Sequence, residues 1–142
     1  MCGIVGEIRF DGRRVNPSQR DYMMKTIISR GPDSSGLYEE SSFFLGHRRL
    51  SVIDTSAKSN QPMIDAELRL VIVFNGVIYN FKELRSKLRK EGYSFSSNGD
   101  TEVILKSYHF YGKKCVQYFD GVFSFCIYDM KNKTFFLSRD RL

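Results

Sequence analysis

The chain has 142 residues and a mass of 16.5 kDa, 42% hydrophobic and 14% aromatic, the size and apolar content of one globular domain spanning residues 1–142. Its three cysteines are an odd number, with no charged n-region and apolar h-region ahead of them, so neither a disulfide framework nor secretion is indicated and a reducing, cytoplasmic setting is expected. The net charge of +6 invites a nucleic-acid reading, but its densest run, Lys82 to Lys90, alternates with apolar residues as the wet face of an amphipathic helix does.

Gly3 to Phe10 reads as a strand ended by Asp11-Gly12. Asn16-Pro17 supplies an N-cap and a first-turn proline for a helix carrying Tyr22, Met23, Met24, Ile27 and Ile28, which must stop before Gly31-Pro32. Leu37 to Glu39 and Phe43 to Leu50 predict short strands, followed by a polar loop over Asp54 to Gln61. Leu68 to Phe74 is the clearest strand, and its apolar run is far short of the about 20 residues a membrane span needs. Asn80 with Glu83 predicts a capping box for a helix whose buried stripe is Phe81, Leu84 and Leu88, closed at Gly92. Asp100 and Thr101 cap a third helix with Val103, Ile104, Leu105 and Tyr108, closed at Gly112 and followed by a short helical piece over Lys114 to Tyr118. Val122 to Tyr128 and Thr134 to Leu137 then form a hairpin around Asp129 to Lys133. Strands at both ends with helices between predict an α+β or layered α/β class, and an unpaired edge at Thr134 to Arg139 would favour a homo-oligomer or aggregation.

Cys2 carries the most chemistry. Removal of Met1 would leave one residue with a thiol and a free α-amine, a nucleophile and a base on the same carbon. An α-amine ordinarily titrates at about 7.7–8.0 and a cysteine thiol at about 8.5, so such an amine can take a thiol proton without a histidine. Gly3 and Gly6 would leave room for a ligand beside that strand. Asn75-Gly76, at the end of the clearest strand, offers a side-chain amide and an unhindered N–H, an oxyanion hole or simply a turn. Arg48-Arg49 and Asp100 are a cation and an anion of the kind that hold an amino-acid zwitterion, or ordinary surface charges and a cap. His47 and His109 read as structural, no second ligand stands at metal spacing, and Arg30-Gly31-Pro32-Asp33 reads as a helix stop and turn. Neither a Walker-type loop nor GxGxxG is present.

Taken in order, CGIVGEI, ISRGPDSSG, LGHRRLSVID, NQPM, VFNGVIYNFKEL, GDTEVIL and DGVFSFCIYD resemble the N-terminal glutaminase domain of glutamine-dependent asparagine synthetases, class II amidotransferases with an N-terminal nucleophile. The resemblance implies a four-layer αββα sandwich of the N-terminal-nucleophile (Ntn) hydrolase type with antiparallel sheets, and hydrolysis of glutamine to glutamate and ammonia. It implies Cys2 as nucleophile and Asn75 and Gly76 as the oxyanion hole. Arg49 would hold the substrate carboxylate and Asp100 its ammonium, with Leu50, Ser51, Val52, Ile53 and Val77 lining the pocket. Val77 stands where the family has Glu. Glutamine hydrolysis on this pattern takes no metal and no cofactor; ATP and Mg would belong to a synthetase domain or subunit, and the sandwich is expected to lack its last strands. A domain that binds glutamine or a partner without turnover, and a basic nucleic-acid-binding module, are the alternatives; no membrane partner is expected.

Overall fold

The computed structural model describes residues 1–51 and 53–141. Two antiparallel sheets face one another. The first has the order β1-β3-β2, from β1 (Gly3–Ile8), β2 (Ser34–Glu40) and β3 (Phe43–Arg49). The second runs β4-β5-β6-β7, from β4 (Met63–Asp65), β5 (Leu70–Ile78), β6 (Gly121–Asp129) and β7 (Thr134–Arg139). Helix α1 (Pro17–Thr26) covers the first sheet, and α2 (Phe81–Lys90) and α3 (Thr101–Tyr111) cover the second, so the layers are α, β, β, α. This is the α+β sandwich expected of an N-terminal-nucleophile hydrolase. No helix among the described residues is long and apolar enough to cross a membrane.

The alternation of β5 explains the layering. Leu70, Ile72, Phe74 and Ile78 point to one side, where they form a core with Leu84, Leu88, Val103, Ile104 and Leu105 of α2 and α3. Val71 and Val73 point to the other, where they meet Phe43 and Leu45 of β3 and Cys126 and Tyr128 of β6 between the sheets. Burial on both faces is why this strand reads as a continuous apolar run. At one end of the inter-sheet layer Phe43, Tyr128 and Phe135 pack ring against ring, with centroids 4.5–4.9 Å apart.

The termini of the helices divide the expected from the unexpected. Asn16 caps α1 as predicted, its Oδ1 accepting from the N–H groups of Ser18 and Gln19 at 2.9 and 3.3 Å. Gly92 and Gly112 follow α2 and α3 with φ of 94° and 62°. The capping box at α2 does not form. Asn80 instead donates from Nδ2 to the Tyr118 carbonyl at 2.9 Å and accepts the Asp120 N–H at 3.1 Å, which ties the start of α2 to the entry of β6, and Glu83 pairs with Lys87 at 2.9 Å. Asp100 occupies the N-cap position of α3, but its carboxylate turns away to the N–H of Ile78 at 3.0 Å. β1 stops two residues short of Phe10, and β4 was not foreseen.

Asn75-Gly76 does not end a strand as expected; β5 runs through the pair to Ile78, with Asn75 opposite Ser124 and Gly76 opposite Phe123. Gly76 has φ of 146°, and a Cβ there would fall on the Val122 carbonyl of the adjoining strand, so glycine is required by the close approach of β6.

Candidate active site

Register places Cys2. β1 pairs with β3 through Gly3 opposite Arg48, which sets the residue before β1 beside the end of β3. The Leu50 N–H donates to Cys2 Sγ at 3.3 Å, the thiol faces the Leu50 carbonyl at 3.6 Å, and Arg30 Nε donates to the Cys2 carbonyl at 3.4 Å. Gly31 presses so closely on the backbone of Arg48 and Arg49 that it has no room for a Cβ, so the ISRGPD segment is a brace for this corner as well as a turn. Gly3 and Gly6 do not make room for a ligand. A Cβ on Gly3 would meet Ile27 and Arg30 at 3.0 and 3.1 Å, and one on Gly6 the Phe44 carbonyl at 2.8 Å, so both are packing positions.

The inner face of β3 passes from Phe43 and Leu45 to His47 and Arg49, and that of β5 from Val71 and Val73 to Asn75. The inter-sheet layer thereby turns polar at one end, where a cleft of about 250 Å³ opens, lined by Cys2, Arg49, Asn75, Gly76, Asp100 and Gln61 among others. Leu50, Ile53 and Val77 also line it, as does Met1. Ser51 does not; its N–H is engaged with Asp33 Oδ2 at 2.7 Å. Val52 lies outside the described residues.

The polar groups in the cleft differ in what they leave free. Asn75 has its Oδ1 buried with no partner, and its amide makes no hydrogen bond among the described residues. Arg49, only 6% exposed, spends three donors on the loop after β3: Nη1 on the Ser56 carbonyl at 2.9 Å and Asn60 Oδ1 at 2.7 Å, and Nη2 on the Asp54 carbonyl. A guanidinium has five donors, so its remaining edge has no described partner. Asp100 is 5% exposed, and burial pushes its carboxyl above the usual range against the Ile78 N–H and the positive charge of Arg85.

His47 is buried behind this wall and bonds the Phe74 carbonyl through Nε2 at 3.1 Å. Burial pulls its pKa down to about 4, so at neutral pH it is an uncharged donor to that carbonyl. His109 bonds the Tyr93 hydroxyl at 2.6 Å on α3. Both are the structural histidines the sequence suggests.

The pattern that defines the glutamine amidotransferase domain matches residues 1–142. The chain belongs to this family. Among its relatives, asparagine synthetase 3 (glutamine-hydrolysing) of Bacillus subtilis is 39% identical over 145 residues, covering 100% of this chain, and asparagine synthetase 1 (glutamine-hydrolysing) of Arabidopsis thaliana is 36% identical over 143 residues, also covering 100%. The chain spans 24% of the length of each. Its fold is that of the solved glutamine phosphoribosylpyrophosphate amidotransferase of Bacillus subtilis, with a TM-score of 0.78 over 99% of this chain and 37% of the other, at 17% identity.

Among the cleft-lining residues of this amidotransferase domain that the sequence does not single out are Gln61 and Asp54. Gln61, 8% exposed, accepts the Phe74 N–H on Oε1 at 2.6 Å and so holds the loop before β4 against β5. Asp54 accepts from Ser56 N–H, Ser59 Oγ and Asn98 N–H at 2.9, 2.7 and 2.9 Å. Both sit in quoted motifs, but their partners are mostly backbone amides, which leave no residue-type signal.

Proposed function

We propose that this amidotransferase domain hydrolyses L-glutamine to L-glutamate and ammonia with Cys2 as nucleophile, as the ammonia-supplying part of a glutamine-dependent asparagine synthetase. The observation that carries the reading is the gathering of Cys2, Asn75, Gly76, Arg49 and Asp100 around one cleft at the polar end of the inter-sheet layer. Loss of Met1 frees the Cys2 amine. The free edge of Arg49 takes the α-carboxylate of glutamine and Asp100 its α-ammonium, which leaves the side-chain amide facing the sulfur.

The amine accepts the thiol proton and the sulfur attacks the carboxamide carbon, forming a C–S bond and an oxyanion. The Asn75 amide and the Gly76 N–H stabilise that oxygen where the charge develops. The C–N bond then breaks as the ammonium returns its proton to the leaving nitrogen, releasing ammonia and leaving a γ-glutamyl thioester. Water, deprotonated by the same amine, cleaves the thioester to glutamate and restores the thiol. The chain's own groups carry every step, so the reaction takes no cofactor. ATP and Mg would serve the domain that activates an acceptor such as aspartate, and the longer relatives support such a partner. The free thiols of Cys2, Cys115 and Cys126 suit a reducing cytoplasm.

The test is ammonia release from glutamine by the purified chain, with Cys2→Ala beside it and the intact mass recorded. The expected result is turnover in a chain that has lost Met1 and none in Cys2→Ala. Turnover in Cys2→Ala, or in a chain that keeps Met1, overturns the mechanism.

A further inference from the structure

The two groups assigned to the glutamine zwitterion belong to different parts of the chain, and each is set by a polar loop. Arg49 is fixed by the loop 54–60 through Asp54 O, Ser56 O and Asn60 Oδ1. Asp100 follows the loop 94–99, which is clamped from behind. Arg85 donates to the carbonyls of Ser97 and Gly99, both at 2.6 Å, and Glu102 accepts from Ser97 N and Oγ at 2.7 and 2.6 Å. The loops touch, since a Cβ on Gly99 would stand 3.1 Å from Ser59 Oγ and 3.7 Å from Asp54 Cβ.

We propose that Asp54 is the positioning residue that fixes the spacing between Arg49 and Asp100, and so sets the fit of the amino-acid head of the substrate. The inference rests on the glutamine reading above. Among the described residues, Asp54 alone bonds both loops and the arginine: its carbonyl accepts from Arg49 Nη2, its Oδ1 from Ser56 N–H, and its Oδ2 from Ser59 Oγ and from the N–H of Asn98, two residues before Asp100. The Ser56 and Ser59 hydrogen bonds, ahead of that from Asn98, hold its carboxyl well below the usual carboxylate range, so it stays ionised at neutral pH. The acceptor set requires a carboxylate. In asparagine one end is an NH₂ donor, which would face Ser56 N–H at one side or Asn98 N–H at the other. Asp54→Asn keeps size and shape and sets a donor against a donor, either inside the loop 54–60 or between the two loops.

Two electrophiles separate head recognition from thiol reactivity. The chloroketone analogue of glutamine carries the amino-acid head and alkylates a thiolate, forming a C–S bond as chloride leaves; iodoacetamide alkylates the same sulfur, with iodide leaving, and has no head. In Asp54→Asn, chloroketone labelling of Cys2 should slow by about tenfold or more, the loss of a hydrogen bond to a charged group, while iodoacetamide labelling stays within about twofold. The KM for glutamine should rise by a similar factor with kcat nearly unchanged. Ser59→Ala, which removes a single donor from the same carboxylate, should show the same selectivity at smaller size and serves if Asp54→Asn does not fold. An unchanged ratio of the two labelling rates in the folded variant overturns the proposal, as does a parallel fall of both. If the unsubstituted chain reacts with iodoacetamide but not with the chloroketone, the glutamine reading itself fails and takes this inference with it.

Discussion

Truncating Asn75 to alanine should separate catalysis from stability in opposite directions. The side-chain amide makes no hydrogen bond among the described residues, and its Oδ1 is buried without a partner. Alanine therefore breaks no intramolecular bond and removes an unsatisfied acceptor, a group whose burial costs about 1–3 kcal/mol. For a chain of this length each kcal/mol moves Tm by about 3 °C, so Asn75→Ala should melt at or up to roughly 9 °C above the parent. Activity should move the other way. Loss of one oxyanion donor costs about 10²–10³ in kcat, or ~2.7–4 kcal/mol of transition-state stabilisation. The assay is initial-rate ammonia release over a glutamine series, with Tm from circular dichroism on the same samples. Asn75→Asp, of equal size but with acceptor oxygens facing the developing charge, should fall below alanine. A kcat within about threefold of the parent would refute the oxyanion role. A Tm lower by more than a few degrees would refute the account of the buried oxygen.

Gly76→Ala should be destabilising, because φ of 146° strains any side chain by about 1–3 kcal/mol and the new Cβ must displace the Val122 carbonyl. Its Tm should drop by several degrees, and a parent-like Tm would mean that the strands part there at no cost. His47 sets an acid limit. Its folded pKa of about 4 lies below the unfolded 6.5, so the unfolded state binds more protons between those values. Stability is then full above pH 6.5, falls by up to about 3 kcal/mol as pH drops toward 4, and levels off below. Urea midpoints from pH 4 to 7 should show this slope in the parent and lose much of it in His47→Gln; an unaltered slope assigns the protons elsewhere.

What could be read from the sequence was what short-range physics decides. Asn16-Pro17 announces α1 because cap and helix are adjacent, and Leu70 to Phe74 announces β5 because burial on both faces demands an apolar run. Asn80 misled, since its carboxamide finds Tyr118 and Asp120 rather than the first turn of its own helix. Asn75-Gly76 misled for the same kind of reason. A pair that by itself favours a turn is drawn straight by the β6 ladder, and only the register reveals it. At the site, Cys2, Arg49 and Asp100 were legible by their chemistry and by the family they resemble. Asp54 and Gln61 were not, because the contacts that give them a place at the site, to the N–H groups of Asn98 and Phe74, are with main-chain amides distant in sequence, and Ser51 comes with the segment Leu50 to Ile53 that the resemblance implies, although its N–H turns to Asp33.

The cleft has walls of unequal stiffness. Asn75 and Gly76 belong to an unbroken ladder of β5 on β6, whereas the two loops that aim Arg49 and Asp100 are joined to each other, among the described residues, by the one hydrogen bond from Asn98 N–H to Asp54 Oδ2. Main-chain protons along the ladder should exchange with deuterium only when the whole sheet opens, and those of Ser56 and Asn98 through much smaller excursions. Warming would thus erode grip on the substrate some degrees before it touches the rate of bond breaking, and the enzyme would lose affinity while still capable of turnover.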